Sequence, residues 1–243
     1  MQMHRPRLVT VAHGTRDEAG PPVVRELVRR VARRLPEVEV VESYVELREP
    51  SYSSVTASAQ GPSVVVPLLL STGHHVNHDL PETARLSPHP VTLARPLGPH
   101  PLLAAAAAMQ LRAAGAGRAD AVVLVVAGSN DPAASADARA AGRLLRLRWG
   151  APVRVACLGG VGPRVPEVFA RLRAEGHRRI AVSPYLLAPG HFATKAGAAA
   201  RAQGAVAVAD LLGPHPLTAE LVVRRHLEAA RRTAPTSRRA RVA

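Results

Sequence analysis

A chain of 243 residues, 47% hydrophobic and 21% charged, can bury one large core or two of roughly half size. Its single cysteine, Cys157, excludes a disulfide framework and a Cys-rich zinc or iron–sulfur centre, and no apolar run reaches the ~18–20 residues of a membrane span. The net charge is +14, but all but one of the 32 basic residues are arginine and aromatics make up only 2%; a basic face interleaved with stacking rings is missing, and nucleic acid is not an expected partner.

The N-terminal "MQMHRPRLVTVAHG" passes directly into a strand-like run, "LVTVA" (8–12), without a signal-peptide pattern, and a cytoplasmic protein is expected. A helix over 21–35 follows, whose "RELVRRVARR" reads as a solvated basic face. Three further strands, "VEVVESYV" (38–45), "SVVVPLLL" (63–70) and "VTLARPL" (91–97), alternate with helix-length segments at about 50–60, 79–87 and 99–114.

The same order then recurs. "LVTVAHGTRD" (8–17) matches "VVLVVAGSND" (122–131), and "VVVPLLLSTGHH" (64–75) matches "AVSPYLLAPGHF" (181–192). "LARPLGPHPLL" (93–103) is echoed by "VADLLGPHPLT" (208–218), with the string LGPHPL intact. Near-continuous apolar strands separated by helices imply parallel sheets covered on both faces. The expected fold is α/β: two tandem duplicated doubly wound domains, each a mainly parallel four-stranded sheet flanked by helices. The expected boundaries are 1–116 for a half carrying the active site, 117–233 for a degenerate half, and 234–243 for a basic disordered tail. Two such halves in one chain would pack like a dimer, making a monomer the expected state.

In a sheet of this kind ligands bind beyond the carboxyl ends of the strands. The first strand ends on His13, followed by Gly14, Thr15 and Arg16; the second ends near Glu46; the third runs into "STGHHVNHD", with Gly73, His74 and His75. Two imidazoles and a carboxylate suit a borderline divalent ion and can also accept protons near neutral pH. In the second half Ala127 stands for His13, "CLGGVG" offers no carboxylate where Glu46 would be, and Phe192 stands for His75, while His74 keeps a counterpart in His191. The fold signals persist and the candidate ligands drop out together. That contrast favours His13, Glu46 and His75 as functional. His78 with Asp79 or Asn77 is expected at a helix start, His100 and His215 at structural turns, and Cys157 in the core.

The segments "VAHGTRD", "SYVELREPS" and "PLLLSTGHHVNHDLP" resemble the three signature segments of the class II tetrapyrrole chelatases, and more closely those of the sirohydrochlorin chelatases of cobalamin and sirohaem biosynthesis in their long, two-half form. The resemblance spans about residues 7–230. It implies insertion of a divalent metal, Co2+, Fe2+ or Ni2+, into sirohydrochlorin, a ring bearing eight carboxylates, with no tightly bound cofactor. It places the paired histidines on His13 and His75 and the glutamate on Glu46, as both metal-binding and catalytic groups, with Gly14, Thr15, Arg16, Gly73 and His74 at the substrate. The extra His74 leaves a one-residue ambiguity with His75. Two alternatives stay open: a tetrapyrrole or metal carrier without turnover, and a histidine phosphatase, against which Ala12 stands where an R-H-G motif requires arginine.

Overall fold

The computed structural model describes residues 6–233, so the segment read as a basic tail, 234–243, lies outside the described residues. Two parallel sheets form the framework. The first has the order β2-β1-β3-β4, from β1 (Arg7–Ala12), β2 (Val40–Tyr44), β3 (Ser63–Pro67) and β4 (Val91–Leu93). The second has the order β6-β5-β7, from β5 (Ala121–Val126), β6 (Val153–Cys157) and β7 (Ile180–Pro184). Strands β3, β5 and β7 are buried along their whole length, which is why their sequences are apolar without alternation.

The expected fourth strand of the second half is reduced to one bridge, Val182 to Val208. Val182 donates to Ala207 O and accepts from Ala209 N, and Val206 N–H donates to Ile180 O at 2.9 Å, but no regular strand forms. The segment is alanine-rich, "AVAVAD", where β4 has Val, Thr and Leu, and alanine holds a pleated strand poorly.

Helix α1 (Gly20–Ala32) opens on Pro21 and Pro22, where a missing N–H costs nothing. It buries Val24, Leu27, Val28 and Val31, one face at helical spacing. The arginines on its other side surround Glu26, with Arg30 Nε at 2.8 Å and Arg29 at 3.1 Å, so this basic run is the solvated, ion-paired face expected of it. Helices α2 (Tyr52–Ala57) and α3 (Leu80–Arg85) cover the outer face of the first sheet through Tyr52, Val55 and Leu80. Helices α6 (Val165–Ala174) and α7 (His191–Ala202) do the same for the second, around Phe169.

The inner faces are interlocked. Helix α4 (Pro101–Ala113), which ends the first repeat, packs on α5 (Pro132–Trp149) and β7 of the second. Helix α8 (Pro216–Thr233), which ends the second, packs on α1, β3 and β4 of the first. One core therefore runs through both halves, joining Leu8, Val64 and Val66 to Leu124, Val126 and Ala181 by way of Leu103, Leu111, Leu221 and Val222. The duplicated LGPHPL string starts both helices: His100 Nδ1 accepts the N–H of Leu102, and His215 Nδ1 that of Leu217, each at 3.1 Å. Both histidines thus cap helices, the structural role expected of them.

Candidate active site

The carboxyl ends of both sheets border one cavity of about 990 Å3. Residues 12–17, Glu46 and 68–76 line one wall, and residues 126–129, Cys157, Val161 and 185–193 line the other. His13, Gly14, Thr15, Arg16, Glu46, Gly73, His74 and His75 all line it.

His13 is the first residue beyond β1. The β1–β2 ladder continues past the regular strands: Val45 N–H donates to Ala12 O at 2.8 Å and Glu46 N–H to His13 O at 3.1 Å. The two side chains are thereby held abreast, with His13 Nδ1 3.5 Å from Glu46 Oε1. Gly14 makes this approach possible. Its φ is +100°, and a Cβ there would lie 1.8 Å from the carbonyl oxygen of Glu46. Glycine is required at this position by the turn itself, quite apart from any ligand. At Gly73 a Cβ would meet nothing within 4 Å, and glycine is favoured there only by its φ of +157°. A Gly14→Ala substitution is expected to cost about 1–3 kcal/mol from the backbone conformation alone, more with the carbonyl clash, and to part His13 from Glu46. Chemical denaturation and a Co2+ titration of the same variant measure both effects.

Leu47, next to Glu46, has φ 63°, a left-handed conformation unusual for a branched aliphatic side chain. Arg48 ties the two strand-end loops together, donating from Nε to Thr15 O at 2.5 Å and from its terminal nitrogens to both oxygens of Glu18.

His75 opens a π-helical turn, His75–Asp79, closed by the Leu80 N–H bonding to His75 O. Such turns insert one extra residue into a helix and re-aim its side chains. Here His75 Nδ1 lies 2.6 Å from Asp79 Oδ2. The carboxylate holds the proton on Nδ1 and leaves the Nε2 lone pair free. The ring of His75 meets that of His13 edge to face, centroids 4.8 Å apart. Donor atoms of His13, Glu46 and His75 all fall within 4.8 Å of one another. His74 is outside this group: its side chain is 75% exposed, stacks on His78 at 4.9 Å, and reaches Asp79 Oδ1 at 3.4 Å. Of the two adjacent histidines, the fold brings His75 to His13 and Glu46.

Asp79 does not cap a helix, contrary to the expectation from sequence; its backbone is helical and its side chain makes no cap hydrogen bond. His78 lies within the π turn that runs into α3, at a helix start as expected. The i,i+4 spacing of His75 and Asp79 was the one sequence signal of their pairing.

Burial holds the pKa of His13 below its ordinary value, and the nearby His75 adds to this, against opposing pulls from Glu46 and the Gly14 backbone. A neutral His13 has a lone pair to give. Arg16 is exposed at the cavity edge and has no hydrogen-bond or ion-pair partner among the described residues. Cys157, buried as expected, borders the far wall.

The CbiX family matches the chain twice, over residues 7–114 and again over 121–229. The chain belongs to the CbiX family. The second CbiX repeat shows how the wall opposite differs. Gly159 N–H donates to Ala127 O as Glu46 N–H does to His13 O, which pairs Gly159 with Glu46 and Ala127 with His13. Gly160, at φ 60°, then pairs with Leu47 at 63°: the second repeat puts glycine where the first strains a leucine beside its glutamate. Pro67 and Pro184 occupy the same sheet position, and eight residues on stand His75 and Phe192.

The chain is 29% identical over 114 residues to a sirohydrochlorin cobaltochelatase of Methanococcoides burtonii, a match covering 40% of this chain and 87% of that protein. It is 30% identical over 159 residues to a sirohydrochlorin ferrochelatase of Bacillus subtilis, covering 61% of each, so that match spans under two thirds of the relative. Among solved structures, SirB from Bacillus subtilis with Fe3+ superimposes with TM-score 0.74 at 24% identity, over 92% of this chain and 96% of that one. CbiX described as the terminal enzyme of sirohaem biosynthesis in denitrifying bacteria gives 0.70 at 20%, over 92% and 99%. These likenesses establish the two-sheet chelatase fold.

Proposed function

We propose that this CbiX family member is a sirohydrochlorin chelatase that inserts a divalent metal, Co2+ or Fe2+, into the ring as substrate. The observation that carries this is the cluster of His13, Glu46 and His75 on one wall of the cavity, donor atoms within 4.8 Å, facing a second wall where Ala127 and Phe192 stand for the two histidines. The names of both relatives agree with it.

Insertion requires that the ion shed water, that the ring nitrogens face it, and that two pyrrole protons leave as the dication enters. Two imidazoles and a carboxylate replace water around the ion without binding it as tenaciously as thiolates would. The Nε2 of His75 is kept available by Asp79, and His13, its pKa held below the ordinary value mainly by burial, can take up a pyrrole proton. Glu46 is the third ligand or the second proton acceptor. Arg16, unpaired at the rim, meets a carboxylate of the substrate, while Thr15, Gly73 and His74 border the ring. One chain supplies both walls, so a monomer with repeats at 1–116 and 117–233 suffices for the reaction.

The test is insertion into sirohydrochlorin followed by absorbance, with Co2+ and with Fe2+. Acceleration over the protein-free rate with at least one ion is the expected result. A rate equal to the protein-free one with both ions overturns the chelatase reading, and a spectral change of bound sirohydrochlorin without acceleration would mark a carrier.

A further inference from the structure

The loop that brings His75 to the cavity is poorly held by its own half. After Leu69, whose carbonyl accepts from Leu97 and Gly98, residues 70–72 make no backbone–backbone hydrogen bond among the described residues. The next such bond is Asn77 N–H to Gly73 O, at the entrance to the π turn. Gly73 adds no steric restraint, because the space in front of its α-carbon is open.

The loop is instead gripped from the other half. Asp137, in the second turn of α5, accepts at one oxygen, Oδ2, from both the backbone N–H of Thr72 at 2.7 Å and the Thr72 hydroxyl at 2.6 Å. Two bonds to one carboxylate, each charge-assisted, fix both the position and the rotation of the peptide at Thr72. Thr72 stands three residues before His75, with only Gly73 and His74 between.

The pairing is one-sided. Gly20, Pro21 and Val24 of α1 line the cavity, as do Ala134, Ser135 and Ala138 of α5, 114 residues later in each case. In that register Asp137 corresponds to Val23. By the Gly73–Gly190 correspondence, Thr72 corresponds to Pro189. A valine and a proline offer neither a side-chain acceptor nor an N–H, so the loop ending in Phe192 has no such clamp. Among the described residues the grip exists only for the loop that carries a candidate ligand.

We infer that Asp137 is a positioning residue: through Thr72 it sets His75 against His13 and Glu46, and this is one task of the second repeat. The inference rests on the assignment of those three residues as the metal site. It does not require Asp137 to touch metal or ring; it acts through the placement of the loop, as a carboxylate does behind a metal-bound histidine.

Co2+ titration of the metal-free full-length protein, with insertion kinetics and thermal melting alongside, tests it on Asp137→Ala, Thr72→Val and Thr72→Ser. Both Asp137→Ala and Thr72→Val are expected to bind Co2+ about tenfold more weakly. The KM for the metal should rise while that for sirohydrochlorin stays put, and Thr72→Ser should restore wild-type binding. Should Asp137→Ala fail to fold, the valine and serine variants at Thr72 decide the matter alone. Wild-type Co2+ binding in Asp137→Ala and Thr72→Val overturns the inference, even if the melting temperature falls, for then the bonds are merely structural. His75→Ala is the control: if it binds Co2+ like wild type, the site assignment itself fails, and the positioning role with it.

Discussion

Replacing His75 with alanine should all but abolish metal insertion, while replacing His74 should leave it near the wild-type rate. His75 supplies one of two imidazoles in the cluster, is oriented by a 2.6 Å bond to Asp79, and meets the His13 ring at 4.8 Å. As a proposed metal ligand, His75 should cost more on removal than the about 10–100-fold lost with an outer-shell partner of a ligand. His13→Ala should be comparably severe. His74, by contrast, is largely solvated, and its contacts are a stack on His78 and a 3.4 Å approach to Asp79. His74 borders the ring in the proposed complex but is outside the donor cluster, so with sirohydrochlorin saturating a change of no more than about threefold is expected. Absorbance at saturating sirohydrochlorin, with Co2+ varied, measures both variants. A reversed order, His74→Ala inactive and His75→Ala active, would show that the loop turns by one residue when metal and ring are bound.

The reason this choice could be made before any coordinates lies in the duplication. A second copy of each segment, in which the proposed ligands are absent, separates residues shared by both folds from those present in one repeat alone. His74 persists as His191 and His75 becomes Phe192; the recurrence of LGPHPL likewise marked His100 and His215 as fold residues, and both cap helices. Apolar runs with helix-length gaps were enough to read the parallel strands. Three features were not legible. The exchange of α4 and α8 between repeats is invisible because an apolar helix face does not say which sheet it covers. The collapse of the eighth strand to a single bridge turns on packing, which a run such as "AVAVAD" leaves open. The acidic partners Asp79 and Asp137 were missed for different reasons: Asp79 looked like a helix cap, and Asp137 meets Thr72 from 65 residues away, with no local pattern to announce it.

The helix exchange has the largest consequence for stability. A chain ending at residue 215, without α8, should not fold cooperatively, although by sequence it retains the whole first repeat. Leu221, Val222, Ala219 and Ala229 of α8 are wholly buried, and the faces of β3 and β4 beneath them would be opened to water. Burying one leucine or valine side chain contributes about 1.5–3 kcal/mol, and both sides of the contact are lost together. The sum is of the order of the ~5–15 kcal/mol that holds a typical domain folded. Arg225 goes as well, a buried guanidinium that donates to Pro96 O at 3.0 Å and so braces the segment between β4 and α4. Circular dichroism on heating should show no sharp transition for the shortened chain, and Co2+ binding should vanish, since β3 leads directly into the His75 loop. The milder Leu221→Ala variant should fold but lose about 2–5 kcal/mol in denaturant titration. If the shortened chain instead melted in two steps, one matching the intact protein, the repeats would be independent domains. A single transition lost as a whole follows from a core that passes through both sheets and needs each repeat's last helix on the other's side.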